Sequence, residues 1–224
     1  MAAGYGAFGK MPSVGDFFRI AAPPGFVEAW DPWVQQALLG GQQAFGAGWD
    51  GVYMSAPIWR FTLSAGLAGP ANVLGVLMPS VDRVGRRFPL TLMRALPPVP
   101  TGPVHFANDA AFAALEDLAL DALDDGMTRD RLAEALAALP APAAAPALTR
   151  LSRAGQTVFG IGASPLQAGL AAAHVGATAG GQALWSSELD GVSRMMLTPG
   201  LPGSAEIPAL FDPAAAPWNE EIGA

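Results

Sequence analysis

The sequence predicts a mixed α/β fold of the α+β type, in which a largely antiparallel sheet is flanked by helices. Apolar runs of strand length, bounded by Gly and Pro, recur through the first hundred residues, and short segments connect them. Two other stretches carry apolar residues at helical spacing. With 224 residues, the chain is long enough to bury a full core as one domain.

The first predicted elements are two short strands and an amphipathic helix. Residues 5–8 and 17–20 have strand character on either side of a turn. After them, helically spaced apolar side chains predict a helix that covers one face of the sheet, with its apolar stripe formed by Phe26, Trp30, Trp33, Val34, Ala37 and Leu38. Pro32 leaves two alternatives: it occupies the first helical position with Asp31 as the cap, or it breaks an earlier turn.

Three further strands are predicted at residues 58–64, 73–78 and 88–96. All three are apolar and are bounded by Gly or Pro. Because their connections are short, we expect consecutive antiparallel pairing. A proline-rich stretch at 97–100 ends this part of the sheet.

Two helices follow the proline-rich stretch. Asn108 or Asp109 can cap a helix that runs to about Leu123, and its spacing of apolar residues supports the assignment. Thr128 can cap a second, shorter helix that ends near Pro140.

The C-terminal third has weaker patterns. Residues 140–146 alternate Ala and Pro and are interpreted as a linker, and residues 163–181 consist largely of Gly and Ala. Two late strands are predicted at 183–187 and 192–198.

The domain organisation follows from these elements. We predict a core domain over residues 1–139 and an extension rich in Ala, Gly and Pro over residues 140–224, packed on the same domain. The order of elements resembles that of longin-like and profilin-like folds.

Composition and charge exclude several classes of function. The net charge is −7, and residues 1–100 carry a net +2 whereas residues 101–224 carry −9. Without a basic face, recognition of nucleic acid is not expected. The absence of cysteine rules out disulfides, thiolate nucleophiles and Cys-based zinc sites. No secretory signal or spanning segment is evident, which indicates a cytoplasmic protein without membrane insertion.

Three dense segments interleave Gly and Pro with ionic and aromatic residues. They are GKMPSVGDFFR at 9–19, APIWRF at 56–61 and LMPSVDRVGRRFPL at 77–90. Such compositions are typical of turns whose backbone and charges are both held in place.

In this order and at this spacing, the three segments resemble the signature of the TagF family, also called ImpM, whose members are encoded with bacterial type VI secretion systems. The resemblance extends over residues 5–95, and residues 140–224 carry no motif that aligns. It implies a cytoplasmic regulator that restrains assembly of the secretion machine after translation. It also implies a link to the forkhead-associated scaffold protein Fha, and it implies no enzymatic activity.

The segments supply two sets of candidate residues. The candidates for binding a partner are the ionic side chains Lys10, Asp16, Arg19, Arg60, Asp82, Arg83, Arg86 and Arg87. A second set is expected to hold the segments in shape: Gly9, Pro12, Gly15, Pro57, Trp59, Pro79, Ser80, Gly85, Phe88 and Pro89.

The charges near the N-terminus have two interpretations. Lys10, Asp16 and Arg19 form a surface cluster that a partner recognises, or Lys10 or Arg19 pairs with Asp16 to fix the turn.

The third segment raises the same question. Here we expect Asp82 to close the turn with Arg86, while Arg83 and Arg87 remain more exposed. The aromatic residues are assigned to packing, and Arg60, on the opposite side of its strand from Trp59, is available for contact.

Signals for catalysis are weak. Residues 4–9 match G-x-G-x-x-G and residues 4–10 match G-x-x-x-x-G-K, but no strand precedes them and no Ser or Thr follows Lys10. His105 and His174 lack ligand-type partners at helical spacing, so neither a metal site nor a cofactor is predicted. A Ser-His-Asp triad is not excluded by counting, although no G-x-S-x-G elbow exists.

The leading interpretation is therefore a non-enzymatic negative regulator of type VI secretion that acts by binding Fha or an assembly component. The alternative is a nucleotide-binding or phosphate-binding enzyme that uses Gly9-Lys10 and the loop from Arg83 to Arg87. A third hypothesis is an adaptor with a longin-like fold.

Overall fold

The computed structural model describes residues 4–143, 148–154, 157–162 and 182–219. The strands are β1 (Gly6–Gly9), β2 (Phe18–Ile20), β3 (Trp59–Leu63), β4 (Asn72–Met78), β5 (Leu90–Leu96), β6 (Leu148–Ala154), β7 (Thr157–Gly162), β8 (Ala183–Leu189) and β9 (Val192–Thr198). The helices are α1 (Phe26–Phe45), α2 (Trp49–Ser55), α3 (Thr101–Ala107), α4 (Asp109–Asp121), α5 (Arg129–Ala138) and α6 (Ile207–Phe211). Short 3-10 turns lie at Gly46–Gly48 and Ala216–Trp218.

Seven of these strands form one antiparallel sheet in the order β2-β1-β5-β4-β3-β8-β9, and β6 and β7 form a separate hairpin. The predicted consecutive pairing of β3, β4 and β5 is confirmed, with Gly75 of β4 facing Phe61 on one side and Met93 on the other. The mixed α/β class predicted from the sequence is therefore correct.

The two late strands extend this sheet. β8 pairs with β3, so that Trp185 lies beside Phe61, and β9 pairs with β8. The N-terminal and C-terminal parts of the chain thus share one sheet, and the order of strands along it differs from their order in the sequence.

Hydrophobic cores lie on both faces of the sheet. On one face, the aromatic side chains of α1 pack against Phe61 and Trp185. On the other face, α4 and α5 pack apolar residues such as Leu115 and Leu132 against Leu74 and its neighbours. The alternation of side chains along each strand supplies both cores.

Pro32 lies inside α1, so both alternatives for its position were wrong. The helix begins at Phe26, after Gly25 with a φ of 74°. Pro32 is exposed, and the carbonyl that loses its hydrogen-bond donor can be solvated. Burial of Trp30 and Trp33 on either side holds the helix together across the proline.

The predicted starts of the helices near residue 108 and after Thr128 are confirmed, although the Asn108 side chain makes no capping hydrogen bond to α4. α4 begins at Asp109, and the Thr128 side chain accepts a hydrogen bond from the amide of Arg131. Elements that the sequence reasoning missed are α2, α3, α6 and the β6–β7 hairpin. α3 begins directly after the proline-rich stretch, and Pro103 lies in its first turn, where a missing N–H is tolerated.

Some predictions fall on residues that the structure does not describe. These are part of the linker, residues 144–146, and the stretch at 163–181. Within the described residues, no helix is long and apolar enough to cross a membrane.

Candidate functional site

Two loops that contain the first and third sequence segments lie side by side at one end of the sheet. The β1–β2 loop spans residues 10–17 and the β4–β5 loop spans residues 79–89. β1 pairs directly with β5, so the strand ends bring the loops together. The amide of Arg83 donates to the carbonyl of Val14 at 3.1 Å. We call the exposed face of these two loops the two-loop surface.

A buried ion pair between Lys10 and Asp82 joins the two loops. Lys10 Nζ lies 3.0 Å from Asp82 Oδ2, and both residues are buried. The ion pair expected between Lys10 or Arg19 and Asp16 is absent among the described residues, because Lys10 points inward. Asp16 is exposed, and its carboxylate accepts a hydrogen bond from the amide of Phe17.

Asp82 organises the β4–β5 loop. Its Oδ1 atom accepts hydrogen bonds from the amides of Val84 and Arg86, and its Oδ2 atom accepts from Lys10 Nζ and Arg86 Nε. Burial alone raises the pKa of this carboxyl, but the hydrogen bonds to its ionised form outweigh burial and hold the pKa well below its usual range. Asp82 is therefore ionised at neutral pH, at the centre of the turn.

Two glycines beside or within the loops adopt positive φ angles that other residues rarely adopt. Gly9 has a φ of 134°, and a Cβ at this position would overlap the carbonyl oxygen of Pro89. Gly85 has a φ of 81° at the tip of the turn. Pro12 occupies the second position of a turn closed by a hydrogen bond from the Val14 amide to the Met11 carbonyl.

The three arginines of the β4–β5 loop differ in their surroundings. Arg86 bonds Asp82 and also donates from Nη2 to the carbonyl of Gly15 at 2.7 Å. Arg87 pairs with Asp50 of α2 at 2.8 Å, and its side chain is 33% exposed against 59% for Arg86. The expectation that Arg87 is the more exposed of these two was wrong, because its side chain reaches Asp50 of α2.

Arg83 is exposed, and it forms no ion pair or side-chain hydrogen bond with any residue that the structure describes. Its guanidinium lies against Gly15, where a Cβ would come within 3.1 Å of Nη2. Arg83 thus spans both loops while its charge stays uncompensated.

Arg60 and Arg19 both form ion pairs within the chain. Arg60 makes a bidentate contact with Glu116, with both N···O distances 2.7 Å, and a further contact with Asp109 at 2.6 Å. It is half-buried, so the expectation that it is available for a partner was wrong. Arg19 lies 3.6 Å from Glu28 at the surface.

Phe17 and Val84 are surface residues that the sequence reasoning missed. Phe17 is 48% exposed and Val84 is 71% exposed. A signal for the first was present in the Phe17-Phe18 pair, because adjacent residues of the strand predicted at 17–20 would point to opposite faces. In the structure Phe17 precedes β2, and Phe18 is the buried member of the pair. Val84 stands between Arg83 and Gly85, and its sequence context carries no such signal.

The prolines of the second and third segments line an apolar pocket. Pro57, Trp59, Pro79 and Pro89 contribute to its wall, together with side chains of α1 and α6, and its empty space is about 380 Å³ including the open side. Trp59 is buried and donates from Nε1 to the carbonyl of Leu210 at 2.7 Å. These residues pack, as the sequence analysis expected of the aromatic side chains.

Ser80 and Phe88 support the base of the β4–β5 loop. Ser80 is buried, and its amide and carbonyl both bond the hydroxyl of Tyr53, at 3.0 and 2.7 Å. The carbonyl also accepts from the amide of Phe88. Burial raises the pKa of Tyr53, so its hydroxyl stays protonated and can make both contacts.

His105 belongs to a buried polar chain. Its Nδ1 lies 2.9 Å from Thr62 Oγ1 and its Nε2 lies 2.8 Å from Ser186 Oγ. Burial, and to a lesser extent the charge of Arg60, lowers the pKa of His105 to about 3. The third member of a Ser-His-Asp triad is replaced by a threonine, and an imidazole with this pKa is a weak general base.

No group of three or more His, Asp or Glu side chains is placed to hold a metal ion anywhere in the part of the chain that the structure describes.

A protein family and a solved structure are similar to this chain. A family model described as TagF N-terminal domain, type VI secretion system-associated, matches residues 6–139. The crystal structure of PA0076 from Pseudomonas aeruginosa PAO1 is similar, with a TM-score of 0.79 and 31% sequence identity, covering 98% of this chain and 97% of that one. No curated protein matches. The chain therefore belongs to the TagF family of type VI secretion system-associated proteins.

Proposed function

We propose that this protein is a non-enzymatic, cytoplasmic accessory protein that restrains type VI secretion after translation. It acts by binding another component, either the Fha scaffold or an assembly protein. Family membership supports the connection with the secretion system. The observation that carries the proposal is the two-loop surface. A buried ion pair between Lys10 and Asp82 joins its two loops, and the exposed charge of Arg83 stays uncompensated.

Binding can restrain assembly through a difference in affinity. If the protein binds a component more tightly in its unassembled state, it shifts the population toward that state. A tenfold preference corresponds to about 1.4 kcal/mol, which a few contacts on a rigid loop can supply.

The contacts of Lys10 disfavour the alternative of a nucleotide-binding enzyme. A phosphate-binding lysine must present its ammonium group to the ligand, whereas Lys10 is buried and bonded to Asp82. Gly9 is the last residue of β1, and its backbone lies directly against the Pro89 carbonyl. Its backbone is therefore not arranged as an open loop that could bind a phosphate. Binding of a protein partner is the function that this geometry favours.

The direct test is effector secretion by a deletion strain of the native bacterium. Loss of a negative regulator should raise the amount of effector in the culture supernatant at unchanged amounts of secretion-system proteins in the cell. Complementation with the wild-type chain should restore the low level. A deletion strain that secretes no more effector than its parent contradicts the proposed regulation.

The partner is tested separately with purified proteins. We expect the wild-type chain to retain the purified Fha scaffold of the same bacterium on an affinity column. If the scaffold passes through while an assembly component is retained, the second of the two proposed partners is supported instead. Retention of neither contradicts the binding mechanism.

A further inference from the structure

We propose that the two-loop surface binds an extended segment of a partner protein that carries a carboxylate beside a large apolar side chain. Arg83 pairs with the carboxylate, and Phe17 and Val84 contact the apolar side chain. The identity of the partner rests on the proposed function, but the chemistry of the bound segment follows from the contacts of these three residues.

The charges of the loops leave one cation for a partner. Lys10 and Arg86 both bond Asp82, and Arg87 bonds Asp50. Arg83 is exposed and has no anionic partner among the residues described. A guanidinium that lies against Gly15 and faces solvent is suited to a bidentate contact with a carboxylate.

Phe17 is a rigid, half-exposed aromatic residue. Its ring packs edge-on against Phe88, with centroids 4.7 Å apart, and stacks on Phe8 at 6.3 Å. Lys10 Nζ lies 4.7 Å from its centroid. With 48% of the residue exposed and the ring fixed on its other side, Phe17 can take up an apolar partner without losing side-chain freedom.

Val84 supplies the second apolar contact at the tip of the β4–β5 loop. Its amide donates to Asp82 Oδ1 at 3.1 Å, which fixes the backbone while the side chain remains 71% exposed. Branching at Cβ restricts rotation about χ1, so the Val84 side chain loses little conformational freedom when it is contacted.

Asp16 limits which segments fit. Its carboxylate is exposed next to Gly15, the residue against which Arg83 lies. A run of acidic residues would therefore meet repulsion on this side of Arg83, whereas a single carboxylate flanked by apolar residues would not. The surface thus favours an acidic and apolar segment over a purely acidic one.

The test is an array of synthetic 12-residue peptides in four classes. The first class has one Asp or Glu next to Leu or Phe, and the second replaces the acid by Lys. In the third class the apolar residue becomes Ser, and in the fourth every variable position is acidic. The probes are the full-length wild-type chain and its Arg83→Glu, Arg83→Lys, Phe17→Ala and Val84→Ser variants.

Arg131→Glu serves as the matched control, because it makes the same change of charge at a residue of α5 that belongs to neither loop. Each variant is first compared with wild type in a thermal unfolding scan. Phe17→Ala also removes packing from the aromatic cluster. Val84→Ser is included because the exposed side chain of Val84 can be changed without disturbing that packing.

We expect wild type to bind the first class at least tenfold better than each of the others. Arg83→Glu should abolish this preference and Arg83→Lys should retain part of it, because lysine keeps the charge but not the bidentate geometry. Val84→Ser should weaken binding several-fold, and Arg131→Glu should stay within about twofold of wild type.

The inference is overturned if wild type shows no preference for the first class, or if Arg83→Glu binds that class as wild type does. Binding that depends on Arg83 but tolerates both Phe17→Ala and Val84→Ser also overturns it, because the surface then recognises charge alone. The array is independent of secretion. If the peptide preference holds but the deletion strain secretes no more effector than its parent, only the proposed function is contradicted. If the deletion strain secretes more effector but the peptide preference is absent, only this inference is contradicted.

Discussion

Lys10 and Asp82 lie 72 positions apart in the chain and form a buried ion pair of 3.0 Å that joins the first and third sequence segments. Asp82 has two further amide hydrogen bonds and a contact with Arg86, so all of its acceptor capacity is used. The relationship explains why both segments are dense in ionic and turn-forming residues: each loop completes the structure of the other.

Removing Lys10 tests this relationship. Lys10→Met leaves a buried carboxylate without its ammonium partner, so the free energy of unfolding should fall by more than the roughly 1 kcal/mol typical of an exposed pair. Urea unfolding measures the difference. The control is Arg19→Gln, which breaks the exposed contact with Glu28 and should cost less than about 1 kcal/mol. Equal effects of the two substitutions would contradict a structural role for the buried pair.

Three glycines should respond differently to alanine. Gly9→Ala brings a Cβ onto the Pro89 carbonyl at a positive φ and should destabilise the protein by at least about 2 kcal/mol. Gly85→Ala meets open space at positive φ and should cost about 1–2 kcal/mol. Gly51→Ala, in α2 with nothing within 4 Å, should be neutral or stabilise by up to about 1 kcal/mol. Thermal unfolding ranks the three, and any other order contradicts the backbone geometry.

His105 should make stability depend on pH. Its pKa is about 3 in the folded protein and near its ordinary value of 6.5 in the unfolded chain. Because the folded pKa is the lower one, the contribution to stability is complete above pH 6.5 and is lost as the pH falls from 6.5 toward 3. Between pH 7.5 and 5.5 the loss from this residue should be about 1.4 kcal/mol.

His105→Gln isolates this contribution. The variant removes the titrating group and keeps hydrogen-bonding atoms near Thr62 and Ser186. Although it should be less stable than wild type at pH 7.5, it should lose about 1.4 kcal/mol less on acidification to pH 5.5. Urea unfolding at the two pH values gives the comparison. Parallel losses in both proteins would show that His105 is not held neutral by the fold.

Arg60 should matter for stability and not for recognition. Arg60→Gln breaks the bidentate contact with Glu116 and should lower the free energy of unfolding by about 1–3 kcal/mol. The neighbouring contact with Asp109 is lost as well. At a temperature where the variant is folded, a complemented deletion strain should restrain secretion as wild type does. Loss of restraint with the fold intact would return Arg60 to the set of partner-binding residues.

Elements whose apolar residues recur at a clear strand or helix spacing were predictable from the sequence. β3, β4 and β5 lie within two residues of the predicted strands, and α4 begins at a predicted cap. The entry to α1 was not predictable from local preferences, because burial of Trp30 and Trp33 outweighs the helix-breaking tendency of Pro32. α3 was missed for a related reason, since its first turn tolerates a proline that usually signals a loop.

The pairing of charges was the least predictable part of the candidate site. Local sequence suggested Asp16 as the partner of Lys10, but long side chains find partners across the sheet, and β1 lies next to β5. The same holds for Arg87 with Asp50 and for Arg60 with Glu116. Contacts between distant segments therefore decide which cationic side chains are paired within the chain and which remain unpaired.

The sequence by itself determined the class of the fold, most strands, half of the described helices, and the three segments that resemble the family signature, because periodicity and turn chemistry are local properties. Only the tertiary structure decided that Lys10 is buried, that Arg60 and Arg87 are paired, and that Phe17 and Val84 face solvent. Burial and charge pairing depend on which strands lie side by side, and here the adjacent strands β1 and β5 are separated by about 80 residues of chain.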